Sequence, residues 1–124
     1  MTNTFCHMEL HSASPDGSKD FYGKLFGWTM QDMQMGDQVY TMFRTCDSDD
    51  EIHGGITRTQ CPEGSSTWLS YVLTDDLDGA LKKATGLGAT VVVDRTEIPD
   101  MGSMAVITDP AGAQLGLWQP QQTS

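Results

Sequence analysis

The sequence predicts an α+β domain in which two βαβββ modules form a curved mixed sheet around a concave cavity. Two observations lead to this fold class. The segments in the first half of the 124-residue chain recur in the same order in the second half. Several segments also alternate apolar and polar residues, as expected of strands with one solvent-facing side. A module of about 60 residues cannot bury a sheet face alone, so we expect a single domain over residues 1–124.

The first module is expected over residues 5–58, and it opens with a strand that alternates strictly. In the segment FCHMELHS, residues 5–12, polar and apolar side chains take turns. Side chains on a strand point to opposite faces in turn. We therefore expect one row to pack on the helices and the other to face the cavity, namely Cys6, Met8 and Leu10 in the first row and His7, Glu9 and His11 in the second.

A helix and three further strands complete the first module. Ser14 followed by Pro15 is a typical helix start, and Gly27 after the apolar residues of DFYGKLF is a typical stop. The segments WTMQDMQM and QVYTMFRT flank the turn MGD, which predicts a hairpin. The segment IHGGITR then predicts a fourth strand.

The second module is expected over residues 67–119 and repeats this order. WLSYVLT predicts a strand, DDLDGALKKATGLG a capped helix that ends in glycines, and ATVVVDR a second strand. GSMAVITDPAGAQLGLWQ predicts two strands joined by a DPAG turn. The PDG motif at 15–17 stands 62 residues before the LDG motif at 77–79, so a single offset relates the two helices.

The charge of the chain limits its partners. Seventeen acidic and seven basic residues give a net charge of -10. Nucleic acid is not an expected partner, because its binding depends on Lys and Arg that neutralise phosphates. A polyanionic substrate would also be repelled, whereas cationic or neutral small molecules suit the field of the protein. We therefore expect a small-molecule ligand.

The cysteines and the hydropathy predict a reduced, cytoplasmic protein. The three cysteines, Cys6, Cys46 and Cys61, form no CxxC pair, which is not typical of a disulfide framework or a structural zinc site. The first residues, MTNTFCHMEL, do not resemble a signal peptide, and no stretch has the roughly 18 apolar residues of a membrane span. We expect no contact with a membrane.

In this order and spacing, the motifs resemble the vicinal oxygen chelate superfamily, which includes glyoxalase I, bleomycin-resistance proteins and extradiol dioxygenases. His7 stands fourteen residues before Phe21-Tyr22, as the first-strand histidine of that family does before its helix motif. DFYGKLFGW and DPAGAQLGLWQP are similar to its first helix and its terminal hairpin. The GG of IHGGITR and the ending LGLWQP are most similar to a glyoxalase-related subgroup of unassigned reaction. The resemblance covers about residues 5–119 and also implies a homodimer, which would cover exposed strand edges and apolar surface.

In its metal-using members, four strand residues hold one divalent cation. The matching positions are, in order, His7, Gly54, Leu69 or its neighbour Trp68, and Gly116. Only His7 offers a side-chain ligand, whereas a catalytic metal usually needs three. His53, beside Gly54, could supply a second ligand if the register shifts by one residue. We expect no bound metal and no cofactor.

Seven side chains are predicted to bind a ligand in the cavity. His7, Glu9 and His11 supply polar groups, and aromatic residues beside a carboxylate suit a flat or cationic molecule. The strand that carries Trp118 should direct it to the same side as Gly116. The full predicted set is His7, Glu9, His11, Tyr40, His53, Trp68 and Trp118.

Three functions remain open on the sequence. The first is a metal-free protein that binds a small organic ligand, cationic or aromatic, in the manner of bleomycin-resistance proteins. The second is a lyase, isomerase or dioxygenase that uses His7 with Glu9 or His11 in acid–base catalysis, or with His53 on a metal. The third is a structural or interaction module whose cavity is a relic. The fold alone does not separate them.

Overall fold

The computed structural model describes residues 3–35, 37–45, 54–58 and 65–121. The predicted ligand-site residue His53 lies outside these ranges, as do Cys46 and Cys61. Contacts between Cα atoms divide the chain into two compact units. The first unit runs from His7 to Leu69, and the second contains Ser70 onward together with the chain before His7. The predicted module boundaries and the cavity stay predictions.

The observed element order is βαβββ followed by βαβββ, as predicted, and the α+β class with mixed strand pairing is confirmed. The first set comprises β1 Phe5–Ser12, α1 Pro15–Phe26, β2 Thr29–Met35, β3 Gln38–Arg44 and β4 Gly54–Arg58. The second set comprises β5 Thr67–Leu73, α2 Leu77–Gly86, β6 Thr90–Ile98, β7 Gly102–Thr108 and β8 Gln114–Pro120.

The strands of the first set lie in the order β2-β3-β4-β1. Strands β2 and β3 are antiparallel with Met35 opposite Gln38, which confirms the predicted hairpin. Strand β4 runs antiparallel to β3 and parallel to β1, and it brings Gly55 opposite Glu9. Two strands distant in sequence, β1 and β3, thus lie on either side of β4, and this arrangement builds the site described below.

The strands of the second set repeat this arrangement in the order β5-β8-β7-β6. Strands β5 and β8 are parallel, with Tyr71 opposite Gly116. Strands β7 and β8 form the predicted hairpin, and the Asp109 carboxylate in its turn accepts hydrogen bonds from the backbone N–H groups of Ala111 and Ala113. Gly112 completes the turn at φ +100°, a conformation that favours glycine.

The helices begin and end near the residues that the sequence predicts. Helix α1 follows Ser14, although the Ser14 side chain makes no capping bond and its N–H donates to the Ser12 hydroxyl instead. Gly27 ends α1 in the left-handed conformation, with its N–H bonded to the Gly23 carbonyl at 2.9 Å. Helix α2 is capped by Asp76, whose carboxylate accepts from the Gly79 N–H. Within the described ranges, no helix has the length and apolar character needed to cross a bilayer.

Each unit has its own hydrophobic cluster beneath its helix. In the first unit the buried residues Leu10, Phe43 and Ile56 pack with the partly buried Tyr22, Trp28 and Met30. In the second unit Leu77 and Leu81 of α2 pack on Ala105, Ile107 and Leu117. The helix-facing side of each sheet is therefore its apolar side.

The expectation that Cys6, Met8 and Leu10 all pack on the helices is correct only for Leu10. Leu10 is buried, whereas Cys6 is exposed and the Met8 side chain is 38 % exposed. The reason is the position of α1, which packs against β2 and β4 rather than along the whole of β1. Alternation predicts which way a strand residue points, but not whether a helix covers it.

Candidate functional site

Four of the seven predicted ligand residues come together on one face of the first unit. His7, Glu9 and His11 project from the same side of β1, and Tyr40 reaches them from β3. We call His7, Glu9, His11 and Tyr40 the polar row. It lies on the opposite side of the sheet from Leu10 and its hydrophobic cluster.

Hydrogen bonds connect His7, Tyr40 and Glu9, and a close contact adds His11 to the polar row. The Nε2 atom of His7 lies 3.0 Å from the Tyr40 hydroxyl, which donates to Oε2 of Glu9 at 2.9 Å. The other carboxylate oxygen, Oε1, lies 2.8 Å from Nε2 of His11, at ion-pair distance. Each oxygen of Glu9 thus has a side chain of the row beside it, and Tyr40 lies between His7 and Glu9.

The row is mostly screened from solvent, and this burial affects the pKa values of two of its groups, Glu9 and His7. The side chain of Glu9 is 12 % exposed and that of His11 is 26 % exposed. Burial alone would raise the pKa of Glu9, but hydrogen bonds from His11 and Tyr40 and the charges of His11 and His7 lower it below its usual value. Burial lowers the pKa of His7 more than the charge of Glu9 raises it. At neutral pH the row therefore holds an ionised carboxylate beside a neutral His7.

Gly55 makes room for Tyr40. Gly55 lies opposite Glu9 on β1 and opposite Met42 on β3. Met42 is two residues from Tyr40, so the side chains of Met42 and Tyr40 point to the same face as Gly55. A Cβ atom built on Gly55 would overlap the Tyr40 hydroxyl and ring. The absence of a side chain at Gly55 thus allows the tyrosine to lie across β4 and reach the histidine and the carboxylate on β1.

The same register tells the two adjacent glycines of β4 apart. Gly54 lies opposite Met8 and so shares its face, whereas Gly55 shares the face of Glu9. The ligand position that the resemblance implies at Gly54 stays a prediction, and of the two glycines it is Gly55 that lies on the face of the polar row. In the second unit Gly116 lies opposite Tyr71, and a Cβ atom there would overlap the Tyr71 ring.

The described residues at and beside the ligand positions that the resemblance implies do not fit a divalent metal. His7 is a good ligand, but Gly54, Gly55, Leu69 and Gly116 have no donor atoms on their side chains. Tyrosine rings fill the spaces where side chains at Gly55 and Gly116 would project. Across residues 3–35, 37–45, 54–58 and 65–121, no group of three or more His, Cys, Asp or Glu side chains could hold a metal ion.

Trp68 packs on the helix side of the first unit, and Trp118 belongs to the second unit. Trp68 contacts Tyr22 and Phe43, with ring centroids 5.5 and 6.1 Å apart, and Phe43 belongs to the cluster on the helix side. The expectation that Trp68 binds a ligand together with His7 stays a prediction. Trp118 lies in the second unit, opposite Leu73 on β5 and on the face of Gly116 that alternation predicts.

Sequence reasoning missed the pairing of a tyrosine with a glycine in each unit. The offset of 62 residues that relates the helices also places Tyr71 at the position of Glu9. The counterparts of His7 and His11 are then Leu69 and Leu73, so strand β5 has no equivalent of the histidines of the polar row. Applying the helix offset to the first strands would have revealed this difference.

A cleft in the second unit lacks comparable chemistry. Its volume is about 320 Å³, and it lies near the turn between β6 and β7. The guanidinium of Arg95 there pairs with Glu97 at 2.9 Å and with Asp78 at 3.1 Å, and Ser103 donates to Glu97. The one cation there is thus already paired with two carboxylates, which does not favour this cleft as a site for an anionic ligand.

Comparison with known proteins supports the fold and the family. The chain is 34 % identical over 115 residues to a protein from Mycobacterium tuberculosis named "Putative glyoxylase CFP32", and 33 % identical over 122 residues to anthracycline biosynthesis protein DnrV from Streptomyces peucetius. These alignments cover 90 % and 86 % of the chain. The chain spans 44 % of the length of each of these relatives.

Solved structures with the same fold include two enzymes. Methylmalonyl-CoA epimerase from Mycobacterium tuberculosis matches with a TM-score of 0.71 and 13 % identity, covering 98 % of this chain and 90 % of the epimerase. The Mn(II)-bound glyoxalase from Novosphingobium aromaticivorans matches with a TM-score of 0.65 and 11 % identity, covering 99 % of this chain and 42 % of the glyoxalase. A family model matches residues 4–117. The chain therefore belongs to the Glyoxalase/Bleomycin resistance protein/Dioxygenase superfamily.

Proposed function

We propose that this protein binds a small organic ligand, cationic or aromatic, on the face that carries the polar row, and that it does so without a divalent metal. The observation that carries the proposal is the ionised, mostly buried Glu9 carboxylate at the centre of the row. A screened carboxylate attracts a cation more strongly than one in water, because the local dielectric constant is lower.

Charge and aromatic character support this choice of ligand. The net charge of -10 raises the local concentration of cations near the protein and lowers that of anions. The Tyr40 ring lies beside Glu9 on the same face and offers a surface for cation–π contact. A flat organic cation would therefore meet attraction from both the carboxylate and the ring.

The metal-free part of the proposal rests on the glycine positions. A ligand side chain at residue 55 or 116 would have to occupy the space that Tyr40 or Tyr71 fills. The only side-chain donor at the described family positions is His7, and its Nε2 atom already bonds Tyr40. Tyrosine side chains thus take the space in which a further ligand would have to lie.

Titration with matched probes tests the proposal. Benzyltrimethylammonium carries a positive charge and a ring, whereas benzoate has a similar ring with a negative charge. We expect saturable calorimetric binding of the cation, no binding of benzoate, and about tenfold weaker cation binding in Glu9→Gln, as loss of one ion contact predicts. Glu97→Gln removes an exposed carboxylate of the second unit and should bind like the wild type. Equal affinity of the wild type for the cation and the anion would contradict the proposal. Equal affinity of Glu9→Gln and Glu97→Gln for the cation would also contradict it.

An acid–base enzyme is the second candidate, and the connected hydrogen bonds of the row favour it. A histidine joined through a tyrosine to a carboxylate can accept a proton and have the resulting charge stabilised. His7 would then take a proton from a carbon next to a carbonyl group. Deuterium uptake from D2O into a panel of small ketones and thioesters, abolished in His7→Gln, would support this function over simple binding.

A further inference from the structure

We propose that the exposed apolar side of helix α1 is an interface between two copies of this chain, in which the two α1 helices pack antiparallel about a two-fold axis near Phe21. The sequence suggests a homodimer that covers strand edges, whereas the structure points to a helix. This interface is separate from the proposed ligand face, because the polar row lies on the opposite side of the sheet from the hydrophobic cluster beneath α1.

Helix α1 leaves its large apolar side chains in water. None of its 12 residues is buried, whereas α2 buries Leu77 and Leu81 against its sheet. Phe21, Leu25 and Phe26 are each more than half exposed. Contiguous apolar surface of this kind is uncommon on a protein that works alone, and it marks a site of interaction.

Ring contacts hold the exposed aromatic side chains in place. The rings of Phe21 and Tyr22 meet edge to face with centroids 4.9 Å apart, and Phe26 stacks on Trp28 at 5.1 Å. Trp68, which is also exposed, meets Tyr22 edge to face at 5.5 Å. Side chains that are already ordered lose little conformational entropy when a partner covers them. We call this set the α1 patch: Phe21, Leu25, Phe26 and Trp68.

The α1 patch has about the apolar area that a dimer interface of ordinary size needs. Its four side chains, each roughly half exposed, present on the order of 400 Å² of apolar surface. A stable interface buries about 800 Å² on each partner, and somewhat more than half of that area is apolar. The charged residues beside the patch on α1 would supply much of the polar remainder.

Charge makes a second copy a suitable occupant of the patch. Two copies that each carry a net charge of -10 repel over most of their surfaces. Helix α1 has as many basic as acidic residues, so it is a neutral part of an acidic protein; they are Asp16, Lys19, Asp20 and Lys24. A strongly basic partner would be attracted to the acidic remainder of the surface instead. Helix α1 is therefore a place where two like-charged chains can meet.

The order of residues on α1 is self-complementary. Gly17, Phe21 and Leu25 are four residues apart and so lie along one side of the helix. A two-fold axis at Phe21 places Leu25 of each copy over Gly17 of the other, where no side chain takes up the space. Asp20 and Lys24, which pair within one helix at 3.2 Å and are both exposed, then also face their opposites on the second copy. Antiparallel packing also lets the two helix dipoles attract each other.

Sedimentation velocity over a range of protein concentrations tests the interface. We expect the wild type to form a dimer, and we expect Phe21→Glu to raise the dissociation constant about tenfold or more, as loss of a central apolar contact does. Leu87→Glu changes an exposed leucine of the second unit in the same way and should dimerise like the wild type. A wild type that stays monomeric, or Phe21→Glu that dimerises as tightly as the wild type, would overturn the proposal. Equal thermal unfolding midpoints of the two variants would show that the loss of dimer does not come from unfolding.

Charge exchange on α1 tests the antiparallel arrangement and leaves the apolar residues unchanged. Asp20→Lys and Lys24→Asp each place like charges across the axis, so each variant alone should dimerise several-fold more weakly, even though Asp20→Lys lowers the net negative charge. In an equimolar mixture the new lysine of one variant faces the new aspartate of the other, and association should return to about the wild-type level.

A matched variant separates this effect from net charge. Glu97→Lys changes the charge as Asp20→Lys does, but in the second unit, and it should not weaken the dimer. A mixture of Asp20→Lys and Lys24→Asp that associates no better than either variant alone would overturn the arrangement, because mixing relieves only contacts between copies.

Discussion

Tyr40 and Gly55 share one space on the sheet of the first unit: the hydroxyl of the tyrosine lies where a side chain on the glycine would project. In the second unit a Cβ atom on Gly116 would meet the ring of Tyr71 rather than its hydroxyl. Tyr71 lies on β5 at the position that corresponds to Glu9, so the two tyrosine–glycine contacts are built from different strands. Only the first tyrosine lies beside histidines and a glutamate, and this difference gives the protein one polar row instead of two.

The contact between Gly55 and Tyr40 predicts a stability effect that a matched glycine does not share. Gly55→Ala forces overlap with Tyr40 and should lower the free energy of unfolding by about 1–3 kcal/mol, as overpacking does. Gly86→Ala, at the end of α2 with open space around it, should leave stability equal or slightly higher. Urea unfolding of both variants measures the difference, and equal stability would contradict the described contact.

Glu9 and Tyr40 should be energetically coupled. Glu9→Gln and Tyr40→Phe each remove the charge-assisted bond between them, so the double variant should lose less stability than the sum of the single losses. We expect a coupling energy of about 0.5–3 kcal/mol from a double-mutant cycle in urea.

The control cycle combines Tyr22→Phe with Glu97→Gln, two substitutions in different units. These losses should add within about 0.5 kcal/mol. Additive losses in the Glu9–Tyr40 cycle would mean that the tyrosine hydroxyl does not bond the carboxylate in solution.

The pKa shifts in the row predict that acid destabilises the protein in two steps. The pKa of His7 is lowered by folding, so its contribution to stability is present above about pH 6.5 and is lost as the pH falls through its lower folded value. The pKa of Glu9 is also lowered, so its contribution disappears below about pH 4.3 as the carboxylate takes up a proton.

Unfolding free energies of wild type and His7→Gln, measured across this pH range, check whether folding lowers the pKa of His7. The difference between the two proteins should shrink as the pH falls below about 6.5, since protonation removes what the wild-type histidine contributes when neutral. A difference that grows toward acid would show that folding raises the pKa of His7 instead.

The packing of the second unit predicts that truncation of one buried leucine lowers the free energy of unfolding strongly, whereas truncation of an exposed leucine has almost no effect. Leu77, the first residue of α2, is fully buried against the strands, and Leu77→Ala should cost about 2–5 kcal/mol through the cavity that it leaves. Leu87 is 71 % exposed, and Leu87→Ala should change stability by less than about 0.5 kcal/mol. Thermal unfolding distinguishes them, and similar midpoints would contradict the described packing.

Strict alternation made the polar side of β1 predictable from the sequence. In FCHMELHS each face has its own chemistry, so the grouping of His7, Glu9 and His11 follows from the two-residue period. The order of elements was predictable for a similar reason, because caps such as Pro15 and Gly27 mark where the first helix begins and ends.

The register of β4 was not predictable in this way. In IHGGITR two adjacent glycines have no side chains to mark a face, so alternation cannot tell Gly54 from Gly55. The start of β5 is ambiguous for the opposite reason. Trp68 and Leu69 are both apolar although they face opposite ways, so the sequence does not show that the tryptophan lies on the helix side.

The most direct test of the account is the affinity for benzyltrimethylammonium, measured by calorimetry on metal-stripped protein with and without added Zn²⁺ or Mn²⁺. The account predicts saturable binding with the same dissociation constant in a chelator and in the metal solutions, and about tenfold weaker binding in Glu9→Gln. Binding that requires the metal, with metal retained by wild type and lost in His7→Ala, would contradict it. In that case His7 would be a metal ligand, and Tyr40 would have to leave its Nε2 atom.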